Sequence, residues 1–531
     1  MAISQLDDEA NACGFMETKE ISSRDSGDVR LHLLGSDLEC SYKADADTKL
    51  NILRHLGRLV RPGAGALPGF LRTETYYKKR KLSPTSWLVA LRGYAGCLVA
   101  MDHMGGPPES WTVMEWPILR CFRHGRAMPD LFFVASGFVL SYQMLKFMRS
   151  HDSGALLERL TSLSFRRYLR LYLPVAVATF ITMMFMLFNL IPNPPCPPRD
   201  TASGQVADWF VDWLNSSNPL HSMNGFWHPT VFRTHYIDQM WTIPMEFRGS
   251  MMIFAACTAF GSLTSRARMT TCWMAVALCY YWQEVWAAMF FGGMALAESS
   301  LNRQDRQQDS SNNTTLPSSE GSSVEYTDVP EGVENGPLIA PADAKLRCRN
   351  KEAPYIEEQQ TVSQKVRYCC ILLVALVFLG QPNNLGVDGP FPYQYTYNLI
   401  PGWWSAFQEA DTEMYGTETF GQENFWFGIG SLMFIYAVDN CPMLQWPFRC
   451  NFGLYLGEIS FGIYAMNNLV VWTLQARILR PIRDTTTTMF WFPEIFIYFF
   501  VVLWVGDYFR RIDNKLVTFQ FWLQKRVFRK R

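Results

Sequence analysis

Surplus charge of either sign is missing from this sequence. Lysine and arginine number 48, aspartate and glutamate number 48, and the formal net charge is zero. A chain without a basic surplus has no electrostatic footprint for a phosphate backbone, which excludes nucleic acid as the expected partner. Paired cysteine motifs are missing too. The 13 cysteines are scattered, several inside apolar runs (Cys97, Cys257, Cys279, Cys369, Cys370), and no CxxC spacing recurs, so neither a zinc site nor a disulfide frame is expected. The amino terminus lacks a basic stretch followed by an apolar one. No cleavable signal peptide is therefore expected, and the first apolar helix has to serve as its own insertion signal. Repeated halves, common in transporters, are not evident.

What is present is apolar length. The 531 residues are 49% hydrophobic and 15% aromatic, and mean hydropathy is near zero only because two polar stretches, 1–48 and 299–364, dilute long apolar runs. The runs fall near 87–104, 128–146, 169–188, 240–260, 269–283, 285–297, 367–380, 425–438, 455–474 and 489–505. Basic residues cluster at Lys78, Lys79, Arg80 and Lys81 before the first run and at Lys525, Arg526, Arg529, Lys530 and Arg531 after the last, which places both termini in the cytosol. The expected fold is all-α: a polytopic transmembrane bundle of about ten spans. Residues 1–82 form a cytosolic extension with an interfacial amphipathic helix near 49–60, and 83–298 carry spans one to six. A disordered cytosolic loop covers 299–364, spans seven to ten cover 365–510, and 511–531 form a basic cytosolic tail. Asn215-Ser216-Ser217 is a glycosylation sequon in an outer loop rich in tryptophan and histidine.

The run at 87–104 contains two residues that lipid should not meet, Arg92 and His103. An arginine within a span costs about 2.5 to 3.5 kcal/mol on insertion scales. Eleven positions at about 100° each are roughly three turns, so both side chains leave one helix face, about 16 Å apart along the axis. That face has to line something polar. His103 is the candidate base, since imidazole is the side chain suited to taking a proton at neutral pH; a packing histidine at a helix end is the plainer alternative. Arg166, Arg167 and Arg170 stand at the start of the third run, either as positive-inside charge or as a site for a phosphorylated cytosolic ligand. Glu246 lies within the fourth run, and Arg248 at i+2 is on a different helix side, so another helix should supply its partner. His221, His228 and His235 recur every seven residues without accompanying carboxylates or cysteines, and no metal site is expected.

Several of these segments together resemble the membrane acyltransferase-3 family, especially its fungal members. Arg92 with His103 is similar to its arginine and histidine signature, LFFVASGFVLS at 131–141 to its second-span motif, Arg167-Tyr168-Leu169-Arg170 to its Arg-x-x-Arg element, and QMWTIPMEFRGS at 239–250 to its fungal tryptophan and glutamate segment. Segments 456–464 and 506–511 resemble its last two span motifs, and Asn467 stands where members commonly carry histidine. The resemblance implies acyl transfer, commonly acetyl, from acyl-CoA to a hydroxyl of a carbohydrate, lipid or secondary metabolite at the endoplasmic reticulum or plasma membrane. On that basis Arg92, Arg167 and Arg170 hold the nucleotide phosphates of acyl-CoA, His103 takes the acceptor's proton, and Glu246 orients the imidazole or binds the acceptor. A proton-coupled transporter or lipid-translocating protein is the alternative from another class, since histidine and arginine inside a bundle also serve transport; a catalytically silent scaffold is a third.

Overall fold

The computed structural model describes residues 83–105, 112–219, 234–314, 360–382, 391–405, 423–485 and 490–528. They all fall within the unit Pro68–Arg531; the expected interfacial helix near 49–60 and most of the expected polar loop lie outside the described residues. Among the described residues there is helix and no strand. The longer helices are α1 (Ser86–His103), α2 (Met128–Arg149), α3 (Ser153–Leu187), α4 (Ala202–Ser216), α5 (Thr242–Ala259) and α6 (Ser265–Tyr281). They are followed by α7 (Val285–Thr314), α8 (Val362–Leu379), α9 (Glu423–Asn440), α10 (Pro442–Arg449), α11 (Asn451–Val470) and α12 (Trp491–Val527).

Each of the ten apolar runs is helical, but length and apolarity alone single out fewer. Gly125–Arg149, Ser153–Leu187, Val362–Leu379 and Trp491–Val527 are long and apolar enough to cross a membrane, and α9 with α10, bent by 97°, makes a fifth if the pair counts as one. The other runs are shorter or carry polar residues among their apolar ones; α6, for example, has only 17 residues.

Local sequence explains where the helices begin. The Asp152 carboxylate caps α3 by accepting from the Ala155 amide at 2.9 Å, just after His151 takes a positive φ of 54° and turns the chain out of α2. Thr361 and Gln364 form a reciprocal capping box at the start of α8.

Two expected boundaries move. The loop expected from Ser299 begins later, because α7 continues to Thr314, and its polar turns are held by charge. Arg149 on α2 donates to Glu298 and Asn302, each at 2.7 Å, and Arg303 donates to Asp439 on α9 at 2.7 Å. Likewise α12 passes through the expected boundary at 511 and runs to Val527, where Arg166 of α3 lies 4.1 Å over the Phe521 ring and Gln524 donates to Ser162 at 2.8 Å. Polar composition suggested disorder in the first of these places, and inter-helix pairing overrides it there.

α1 packs along α11, α11 along α12, and α2 along α7. Small residues set these distances, as in helix pairs that lack a hydrophobic drive to associate. A Cβ placed on Gly457 would strike the Val89 carbonyl, and one on Gly93 would strike the backbone of Leu456 and Gly457. Replacing Gly457 with leucine should push α1 from α11 and cost about 1 to 3 kcal/mol or more. Gly154→Ala, where the nearest atom is 3.7 Å away, should leave stability unchanged or raise it. Melting temperatures of the two variants in detergent test this, and equal melting would show that α1 and α11 do not depend on the contact.

Candidate active site

α1 ends at His103, and the chain leaves through Gly105 with φ +101°. That value lies in the region glycine enters without strain, so the helix can stop where the imidazole stands. His103 Nδ1 is 2.9 Å from Oδ1 of Asn467, a fully buried residue of α11. The end of α1 is tied down from a second side. Gln475 donates to the Met104 carbonyl at 2.6 Å and to Glu494 of α12 at 3.1 Å, and Arg483 donates to the same carboxylate at 3.2 Å. Gln475 belongs to a π-helical stretch, Val471–Leu479, that continues α11; such stretches collect at functional sites because they re-aim side chains that a regular helix would point elsewhere.

The neighbouring wall comes from the start of α5. Gln239 donates to the Tyr464 carbonyl at 2.5 Å and to Asn467 Oδ1 at 3.3 Å. The Tyr464 hydroxyl bonds back to the Gln239 carbonyl and lies 2.7 Å from Thr242 Oγ1. One turn further, Glu246 accepts from Arg167 Nη2 at 2.7 Å, and Arg167 Nε donates to Ser250 Oγ at 2.8 Å. Gln239, Thr242, Glu246 and Ser250 thus recur every three or four residues on one face, a polar stripe visible in the sequence that spacing could have flagged.

The expected site residues separate into two groups. Arg92, Arg167, Arg170 and Glu246 lie together, close enough for their charges to act on one another. Arg167 pairs with Glu246, and Arg170 pairs with Asp513 of α12. Arg92 has no ion pair or hydrogen bond among the described residues and has the Phe132 ring 6.0 Å away. It is exposed, whereas Leu91 and Gly93 on either side are buried. His103 stands at the other end of α1. Glu246 therefore does not orient the imidazole, as one of its two expected roles required; Asn467 takes that place, because α5 turns Glu246 toward Arg167. Arg166 lies apart, against Phe521. Of the loop histidines, His221 and His228 lie outside the described residues, and His235 faces Asp212 at 3.8 Å.

Between the two groups lie Phe132 and Tyr464, their rings 6.4 Å apart and edge to face. A face with a guanidinium outside any ion pair among the described residues at one end, an imidazole at the other and aromatic rings between them suits a long ligand with one anionic end. The family description of the acyltransferase domain matches residues 85–511, well over half of the sequence and all of this face. The chain belongs to the acyltransferase-3 family. Among characterised relatives, this acyltransferase is 28% identical over 250 residues to O-acetyltransferase PaAT-1 of Phomopsis amygdali, a match covering 42% of the present chain and 50% of that protein. The acyltransferase thus spans about half the length of that relative. No solved structure matches it.

The Arg167–Glu246 pair is mostly buried, which makes it testable as structure. Arg167→Ala leaves a carboxylate without its partner and should destabilise the acyltransferase by about 3 to 5 kcal/mol, whereas the double variant Arg167→Met with Glu246→Leu should recover most of the loss. Unfolding in detergent, followed by tryptophan fluorescence, is the measurement; a double variant no more stable than the single one would mean that the pair is not the source of the cost.

Proposed function

We propose that this acyltransferase is a multi-pass membrane O-acyltransferase. It moves an acyl group, commonly acetyl, from acyl-CoA to a hydroxyl of a small-molecule, lipid or carbohydrate acceptor, in the manner of a secondary-metabolite tailoring enzyme. The observation that carries this reading is the single face of α1, with Arg92 outside any ion pair among the described residues at one end and His103 held by Asn467 at the other. Arg92, Arg167 and Arg170 set three cations against the two carboxylates of Glu246 and Asp513, so one positive charge remains for a ligand's phosphates. The pantetheine arm then follows α1 past Phe132 and Tyr464 toward His103. The relative's O-acetyltransferase name supports acetyl as the group and oxygen as the acceptor atom.

The chemistry follows from the free imidazole nitrogen. It takes the proton of the acceptor hydroxyl as the oxygen attacks the thioester carbonyl carbon. The carbon–sulfur bond breaks, and the proton passes to the departing thiolate, giving an ester and a free thiol. Removal of such a base typically costs about 10² to 10⁴ in rate. Ten membrane-crossing helices with both termini in the cytosol accommodate this topology, in the endoplasmic reticulum or the plasma membrane: the basic flanks keep Arg92 near the cytosolic face and His103 towards the other.

Three outcomes test the proposal. His103→Gln should lower kcat by about two to four orders of magnitude while acyl-CoA still binds; a variant that transfers at the wild-type rate would sink the mechanism. Arg92→Ala should raise the KM for acyl-CoA roughly tenfold or more, with lysine restoring only part, since it lacks the planar fork. An unchanged KM in both variants would remove the arginine from the donor site. In sealed vesicles of cytosol-inside orientation, external protease should spare segment 315–359; cleavage there would refute the topology.

A further inference from the structure

We propose that Asn467 and Gln239 fix the tautomer of His103, keeping its proton on Nδ1 and leaving Nε2 as the nitrogen that takes the acceptor's proton. The inference rests on the reading of His103 as the base and specifies which atom acts.

Asn467 is fully buried, and its Nδ2 donates to the Tyr464 carbonyl at 3.3 Å. Gln239 Nε2 donates to that same carbonyl at 2.5 Å and to Asn467 Oδ1 at 3.3 Å. A carbonyl only accepts, so both amide groups are anchored to it by their nitrogens. Turning either amide over would set its oxygen against the Tyr464 carbonyl oxygen, two acceptors facing each other without a proton. The same orientation leaves Gln239 Oε1 buried with no partner among the described residues, as it is in Gln445 and Gln475. With Asn467 Oδ1 set as an acceptor, a ring nitrogen 2.9 Å away has to bring the hydrogen. His103 Nδ1–H therefore donates to Asn467, and Nε2 carries the lone pair.

Register puts the amide in place. Gly93 meets Gly457, the space beside Gly96 reaches the Ser460 carbonyl at 3.5 Å, and His103 meets Asn467, so α1 and α11 run parallel with one constant offset. The ionisable groups around the imidazole are otherwise engaged or off its ring. Asp102 on the same helix faces His124 at 3.7 Å, Asp238 acts on Tyr464, and Glu494 is paired with Arg483 behind Met104. The amide holds the ring without adding charge. A carboxylate in its place would favour the protonated imidazole and reduce the fraction able to act as base.

Nitrogen-15 NMR of the histidine-labelled protein in detergent, with the His103 signals assigned by difference from His103→Gln, reads the tautomer directly. Wild type should show Nδ1 bearing hydrogen and Nε2 bare; the reverse pattern, or an even mixture, would overturn the proposal. Activity supplies the second readout, using thiol release from acetyl-CoA with glycerol as the acceptor probe. Asn467→Asp keeps the accepting oxygen, so its kcat at high pH should approach wild type. The acid limb of its pH profile should move up by about 1 to 3 pH units, because the carboxylate holds the imidazole protonated to higher pH. Asn467→Leu should lose tenfold or more of kcat at every pH, with KM for acetyl-CoA within twofold. An unshifted acid limb in the Asp variant, with a uniform loss of rate, would reduce Asn467 to a packing residue; this variant decides the matter even if Asn467→Leu does not fold. Full activity in His103→Gln would instead defeat the reading of His103 as the base, whatever the tautomer.

Discussion

Gly93 and Gly457 meet backbone to backbone, and the parallel register of α1 and α11 follows from that contact. Ten residues on from each glycine stand His103 and Asn467, 2.9 Å apart. At about 1.5 Å of rise per residue, a slip of one helical turn would carry the imidazole about 5 Å from its amide. Helices surrounded by lipid gain little from hydrophobic association, so close van der Waals contact and polar pairing have to hold them together. Glycine at the crossing supplies the first. The amide network above it supplies the second. α12 braces the same pair through Gly506 against Gly462, and the Tyr498 hydroxyl donates to the Ala100 carbonyl at 3.0 Å, a turn before His103.

The charges in the bundle follow a complementary rule. Removing an ion from water costs several kcal/mol unless a partner is present, and most of these arginines have one: Arg167 with Glu246, Arg268 with Glu298, Arg170 with Asp513, Arg510 with Glu458. Each pair joins two helices, so electrostatics and packing specify the same arrangement. Arg92 departs from the rule. Its guanidinium makes no ion pair or hydrogen bond among the described residues, although Glu246 lies near enough for its charge to act on it, and Arg92 is exposed between buried neighbours. Arginines held in ion pairs and an arginine outside them thus differ by what surrounds them, although all appear alike as positive charge in a sequence.

That difference sets how much could be read in advance. The helix carrying Arg92 and His103 was legible because its apolar run has clear ends, and Ser86–His103 matches the expected 87–104 within one residue at each end. The need for a partner to Glu246 from another helix was legible from the i+2 geometry of Arg248. The identity of that partner was not, because nothing local relates residue 246 to 167. Asn467 appeared in the sequence only as a departure from a family pattern; its role emerges when α11 lies against α1, 364 positions away in the chain. The polar ends of α7 and α12 were hidden for the same reason. Periodicity reports which face is apolar, whereas those turns are held by hydrogen bonds and ion pairs to residues far off in sequence.

The two groups at either end of α1 also explain why one helix carries both. The anionic part of the proposed donor stays with arginines at one end and never has to enter the apolar middle, where its charge would be unaffordable. Only the uncharged arm passes Phe132 and Tyr464, whose rings offer contact without competing hydrogen bonds. The eleven helical steps from Arg92 to His103 then act as a ruler of about 16 Å. A donor whose anionic group and reactive carbon lie much closer together cannot reach both at once, and binding energy gained at Arg92 would be wasted on it. The acyl group of the proposed donor lies beyond the ruler, so chain length has to be discriminated by what surrounds His103: the Tyr464 side and the π-helical turn with Gln475.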